Sequence, residues 1–178
     1  MGNGPFGLSV DAKLEDLDLD PDATPKDNGL RLLKSVPTPS DQFKSYAVIA
    51  FPGVGICEIR AASEPITGDT LGGAAMGKVD AIAEVLESKY GKPVKTDICG
   101  GGEVSCGADN WTYALGSGER AYAYSWEKPA QTPPATIRNV RIAAIGQDII
   151  TSMVRIDYEL NDAAKCKAAA KALGAAKL

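Results

Sequence analysis

From Ile150 to Leu160 the chain alternates: Ile150, Ser152, Val154, Ile156, Tyr158 and Leu160 point one way, while Thr151, Arg155, Asp157 and Glu159 point the other. A period of two with one apolar and one polar side describes a strand buried on a single face. Such a strand suits an antiparallel sheet, because parallel sheets bury both faces. A second strand candidate, Thr136 to Ile145, comes just before it, and Gly146-Gln147-Asp148 is short enough to join the two as a hairpin.

Further elements follow from the same test. Arg120 to Trp126 sets Tyr122, Tyr124 and Trp126 on one side and Ala121, Ala123 and Ser125 on the other. Ser45 to Phe51 is a short apolar run, Pro52-Gly53-Val54-Gly55 follows, and Ile56 to Ala61 resumes. Pro presets φ at the first central position of a type II turn and Gly supplies the positive φ of the second, so this reads as another hairpin. From Thr70 to Tyr90 the period becomes helical, with Ala75, Val79, Ile82, Leu86 and Tyr90 on one stripe. Gly91 stands where a left-handed C-cap belongs, and Pro93 prevents continuation. Asn161 is placed to cap a last helix, Asp162 to Leu173, whose stripe is Ala163, Cys166, Ala170 and Leu173.

Residues 1–42 are rich in Asp, Pro and Gly and read as an irregular lead-in. Asp11 is expected to cap a short helix bearing Leu14 and Leu17, and Gly29 to Leu33 offers a first strand. Together with a core over 43–178 this makes one domain. The expected architecture is α+β: a mainly antiparallel sheet of about five to six strands, with the central amphipathic helix and the C-terminal helix packed on one face.

Charge and composition narrow the function classes. The chain has 19 basic and 23 acidic residues and a net charge of -4, and its scattered Arg and Lys form no basic stripe, so nucleic acid is not an expected partner. No apolar run reaches the roughly 18 residues a membrane span needs. The start, Met1-Gly2-Asn3-Gly4-Pro5-Phe6, lacks the basic and apolar regions of a secretion signal, so a signal is expected to have been removed already. The absence of histidine takes away the usual general base near neutral pH, the Ser-His and Cys-His pairs, and the commonest transition-metal ligand. The balance therefore leans away from an enzyme, and no catalytic, cofactor-binding or metal site is assigned.

Four cysteines, Cys57, Cys99, Cys106 and Cys166, allow several readings. The three glycines between Cys99 and Cys106 free the backbone to bring these two to bridging distance. In the chain-entropy model that bridge is worth about 2.5 kcal/mol, whereas one between Cys57 and Cys166 is worth roughly 5 kcal/mol. The alternatives are reduced, buried thiols and, least favoured, a four-thiolate zinc site, for which the paired spacing is missing.

Three patterns invite a chemical reading. Gly72-Gly73-Ala74-Ala75-Met76-Gly77-Lys78-Val79 nearly matches a phosphate-binding loop, but Val79 replaces the hydroxyl that should reach Mg²⁺, and Val79 also belongs to the helical stripe. Asp16, Asp18, Asp20 and Asp22 alternate as in a calcium loop, yet Ala23 and Gly29 stand where the loop needs Gly and Glu. Of the carboxylate pairs, Glu84 with Glu87 and Asp157 with Glu159 are read as solvated faces. Trp111, Tyr113, Tyr122, Tyr124 and Trp126 are dense enough to be core anchors, and they become a candidate interaction surface if the Tyr122–Trp126 face is uncovered.

Phe6-Gly7-Leu8 (followed by Ser9-Val10 where many such proteins carry Trp), Tyr90-Gly91-Lys92-Pro93, Trp111, and Tyr158-Glu159-Leu160-Asn161 leading to Cys166 resemble a diffuse group of small bacterial exported proteins of uncharacterised function. The resemblance implies export to the periplasm or beyond and a Cys57/Cys166 pairing; it carries no catalytic residue. A cytoplasmic setting stays open on the residues alone. The leading expectation is a non-catalytic exported protein that binds another protein, inhibitor- or immunity-like. A nucleotide- or phosphate-binding protein using Gly72 to Lys78 is the alternative, and a thiol-disulfide active protein using Cys99 and Cys106 is the third.

Overall fold

The computed structural model describes residues 2–129 and 136–176. Among the described residues there are eight strands: β1 (Leu30–Leu33), β2 (Ser45–Phe51), β3 (Gly55–Ala62), β4 (Ile66–Thr67), β5 (Val94–Cys99), β6 (Arg120–Glu127), β7 (Ile137–Gly146) and β8 (Thr151–Leu160). Three α-helices accompany them: α1 (Gly73–Tyr90), α2 (Trp111–Gly116) and α3 (Ala163–Ala175). The strands hydrogen-bond in the order β1-β2-β3-β8-β7-β6-β5, with β4 pairing β8. The fold is thus α+β with a mainly antiparallel sheet and a C-terminal helix. Two strands exceed the expected number: β4 is only two residues long, and β5, which alternates Val94, Thr96 and Ile98 with Lys95 and Asp97, spans only six residues between Pro93 and the cysteine loop.

Contacts group the described residues into two compact units, one drawn from 2–61, 136–139 and 157–176, the other from 62–129 and 140–156. In the first, β1 pairs antiparallel with β2, and the β2–β3 hairpin turns as its sequence demands. The Val54 N–H donates to the Phe51 carbonyl at 3.1 Å, with Gly53 at φ +76°. Phe6, from the lead-in, sits among Phe43, Tyr46 and Tyr158 with ring centroids 5.0 to 5.9 Å away, so the irregular N-terminal segment is anchored by edge-to-face aromatic packing. Phe51, Cys57 and Cys166 form a buried cluster against which Ile49, Val54, Ala169 and Ala170 pack.

In the second unit, α1 buries Ala75, Val79, Ile82, Ala83, Leu86 and Tyr90, the expected stripe plus Ala83. It packs on β6, as does α2. β5 and β6 pair antiparallel in a regular register from Val94↔Ser125 to Cys99↔Arg120.

Several local expectations are corrected. The short helix near Leu14 is a single 3-10 turn, Leu14–Asp16, and the carboxylate that serves its start is Asp16, which accepts from the Lys13 N–H at 3.0 Å, not Asp11. At Gly91 the positive φ of +84° is present, but ψ is -171°, so the chain leaves α1 extended and not in a left-handed cap. Asp162, not Asn161, occupies the cap position of α3, because its carbonyl accepts the first helical bonds, from the Lys165 and Cys166 N–H groups. The buried stripe of α3 stops before Leu173, which is 40% exposed in its last turns.

Candidate functional site

The segment that resembles a phosphate loop is helix. Residues 73–78 form the opening turns of α1, and the strand before them, β4, is two residues long and antiparallel to β8. The helix N-terminus already has an anion: Asp69 Oδ2 accepts from the Ala75 N–H at 2.9 Å, and the Asp69 carbonyl accepts from the Gly72 N–H at 3.0 Å. A carboxylate there satisfies orphan donors and complements the helix dipole, which is what a phosphate would otherwise do. Gly72 has its own reason to be glycine, since it sits at φ +74° and a Cβ would run into the Trp111 ring. The segment 69–72 also holds α2, with the Thr112 hydroxyl donating to the Asp69 carbonyl and the Thr112 N–H to that of Thr70.

All four cysteines are bridged. Cys57 joins Cys166 across 109 residues and Cys99 joins Cys106 across 7. The long bridge is buried with Phe51, whereas both cysteines of the short one are partly exposed. The short loop is held down by Arg120, whose Nη1 donates to Asp97 and Nη2 to the Cys106 carbonyl, each at 3.3 Å, while its guanidinium lies 5.9 Å from the Trp111 ring centre.

The aromatic segment divides by depth. Trp111, Tyr122 and Trp126 are buried, Tyr124 is half-buried, and Tyr113 is 44% exposed. Trp126 Nε1 donates to the Gly91 carbonyl at 2.6 Å, closing the end of α1 onto β6. Tyr122 and Tyr124 donate to one Asp80 carboxylate oxygen at 2.7 and 2.9 Å, and Lys95 Nζ donates to the Tyr122 hydroxyl oxygen at 3.0 Å while lying over both rings. Burial pushes the Tyr122 hydroxyl up to about 12; Lys95 opposes this rise and Asp80 adds to it. The hydrogen bonds to Tyr122 and then Tyr124 raise Lys95 above its ordinary value. Both groups are therefore driven away from neutrality, where general acid-base groups need to titrate.

The carboxylate pairs also separate. Glu84 and Glu87 are exposed on α1, as expected. Asp157 and Glu159 are not a solvated face: Asp157 lies 3.6 Å from Arg60, Glu159 lies 3.7 Å from Arg138, and both are largely buried. Alternation placed them correctly but could not show cations brought in from neighbouring strands. In the acidic lead-in, Asp18 accepts from the Ser35 hydroxyl at 2.5 Å and Asp20 from the Asp22 N–H at 3.0 Å. Among the described residues no three acidic, His or Cys side chains are grouped to hold a metal.

The first unit also contains an open cleft of about 760 Å³ between the 3-10 turn and the tip of the β2–β3 hairpin. Leu14, Leu19, Phe51 and Val54 give it an apolar lining, and Asp11, Lys13 and Glu15 stand around it. Sequence reasoning missed it. The available signal was Leu14, Leu17 and Leu19 recurring in an otherwise polar segment with six acidic residues and one basic residue between Asp11 and Asp22.

No protein-family model, curated protein or solved structure matches the chain.

Proposed function

We propose that the protein is a non-catalytic binding protein of an oxidising, extracytoplasmic compartment, and that the cleft of the first unit seats an apolar side chain of another protein. Two disulfides suit a secreted or periplasmic setting, since thiols are kept reduced in the cytosol. Among the described residues no helix is long and apolar enough to cross a membrane. The observation that carries the binding assignment is the cleft itself, whose volume is in the range of ligand sites and whose apolar lining stands open to solvent. Its acidic surroundings favour a partner with Lys or Arg beside an apolar anchor.

Panning a displayed peptide library on the oxidised protein tests this. Peptides pairing a Leu, Phe or Met anchor with basic neighbours are expected, and Leu14→Glu or Val54→Glu should weaken them by about tenfold or more, the equivalent of losing one buried apolar side chain. Selection of no peptides, or of peptides that bind both variants as well as the parent, would refute the assignment. The nucleotide alternative has less behind it, because α1 spends its N-terminus on Asp69.

A further inference from the structure

β5 is the terminal strand of the hydrogen-bonded order, and it offers a backbone edge whose side chains match their own reverse. The Gly100 N–H donates to the Glu119 carbonyl at 2.7 Å, which continues the β5–β6 register by one residue. In a regular antiparallel ladder the inward-bonding residues alternate, so 94, 96 and 98 turn their backbone groups toward β6. Lys95 and Asp97 turn theirs outward. Val94 and Ile98 are 67% and 62% exposed, on the face opposite the Tyr122 and Tyr124 rings.

We propose that the partner for this edge is a second copy of the chain, paired β5 to β5 in an antiparallel two-fold register centred on Thr96. In that register Lys95 faces Asp97 of the other copy and Asp97 faces its Lys95, as hydrogen-bonded pairs. Val94 faces Ile98 on the opposite side, and the two Thr96 residues meet as a non-hydrogen-bonded pair at the axis. Backbone parity permits symmetric registers centred on a residue, of which those at 95, 96 and 97 pair the most of β5, but none centred between residues. Centring on 95 sets Lys against Lys, and centring on 97 sets Asp against Asp, both unfavourable. Charges on an edge strand ordinarily ward off pairing. Here their opposite signs, two residues apart, disfavour the two adjacent registers, and registers centred farther out pair fewer residues of β5. Isologous contacts of this kind are the commonest route to a dimer, and an edge this short makes a weak one, populated at high micromolar to millimolar protein.

Sedimentation velocity over that concentration range, on the full oxidised chain, reads the state directly. The parent should dimerise reversibly, and Lys95→Asp (an all-acidic edge) and Asp97→Lys (an all-basic edge) should each stay monomeric. Mixing the two variants should restore dimer, because each Lys then faces an Asp. Thr96→Cys supplies a second reading that leaves the charges intact: mild oxidation should link it to itself, whereas Val94→Cys, which faces position 98, should not link. A parent that stays monomeric, charge variants that dimerise alone, a mixture of folded variants that stays monomeric, or equal linking of Thr96→Cys and Val94→Cys would each overturn the proposal.

Discussion

Removing the two disulfides in turn should separate them by a factor of about two. A bridge stabilises chiefly by restricting the unfolded chain, and the restriction grows with the logarithm of the loop it closes. For Cys57–Cys166, with 109 residues of separation, the chain-entropy relation gives about 5 kcal/mol; for Cys99–Cys106, with 7, it gives about 2.4 kcal/mol. The structure adds in the same direction, because Cys57 and Cys166 are buried with Phe51, so a Cys57→Ala/Cys166→Ala double variant also loses core contacts. Set against a typical domain stability of about 5–15 kcal/mol, the first loss is a third or more of the total. Equilibrium urea unfolding, followed by far-UV circular dichroism and by Trp fluorescence, gives both numbers. The fluorescence reports the unit that holds Trp111 and Trp126, while Cys57 and Cys166 belong to the other, so the two probes show which unit each bridge supports. Equal losses from the two double variants, or a larger loss from Cys99→Ala/Cys106→Ala, would refute the loop-length reasoning.

Gly72→Ala should cost about 3 kcal/mol or more, through positive φ and collision with Trp111, whereas Gly77→Ala, at an open helical position, should stabilise by about 0.5–1 kcal/mol; thermal melts of both variants decide this. Tyr122 binds its proton more tightly folded than unfolded, so the stability it contributes is complete below about pH 10 and is lost as pH rises through about 12. The parent's stability advantage over Tyr122→Phe, measured by urea unfolding at stepped alkaline pH, should therefore shrink over that interval. Reductant titrated into the folded protein should open Cys99–Cys106 before Cys57–Cys166, because only the former is partly exposed; alkylation and peptide mapping would show the order.

The elements with an unbroken period were legible. The α1 stripe and the alternation of β8 needed only local sequence, because α1 leaves its other face wet and β8 sets fully buried apolar residues against half-buried polar ones. β5 was not assigned although Val94, Thr96 and Ile98 alternate with Lys95 and Asp97: the segment is six residues long, and as an edge it exposes even its apolar residues. α2 escaped for a related reason. Six residues give under two turns, too few for a stripe, and its position is fixed by Thr112 and Trp111 reaching back to 69–72. The cysteine loop was readable from three glycines between two cysteines, but nothing local connects Cys57 with Cys166. Of the cleft only one wall had a signal, the leucines of the lead-in, because the other wall, Val54, lies forty residues from Leu14 and meets it only in the folded chain.

The account rests on a chain that works oxidised, and mass spectrometry of protein isolated with its thiols trapped at once tests that most directly. The intact mass should fall short of the fully reduced chain by the four hydrogens of two disulfides, with no alkylated cysteine, and digestion should yield Cys57 linked to Cys166 and Cys99 linked to Cys106. Four alkylated cysteines would contradict it.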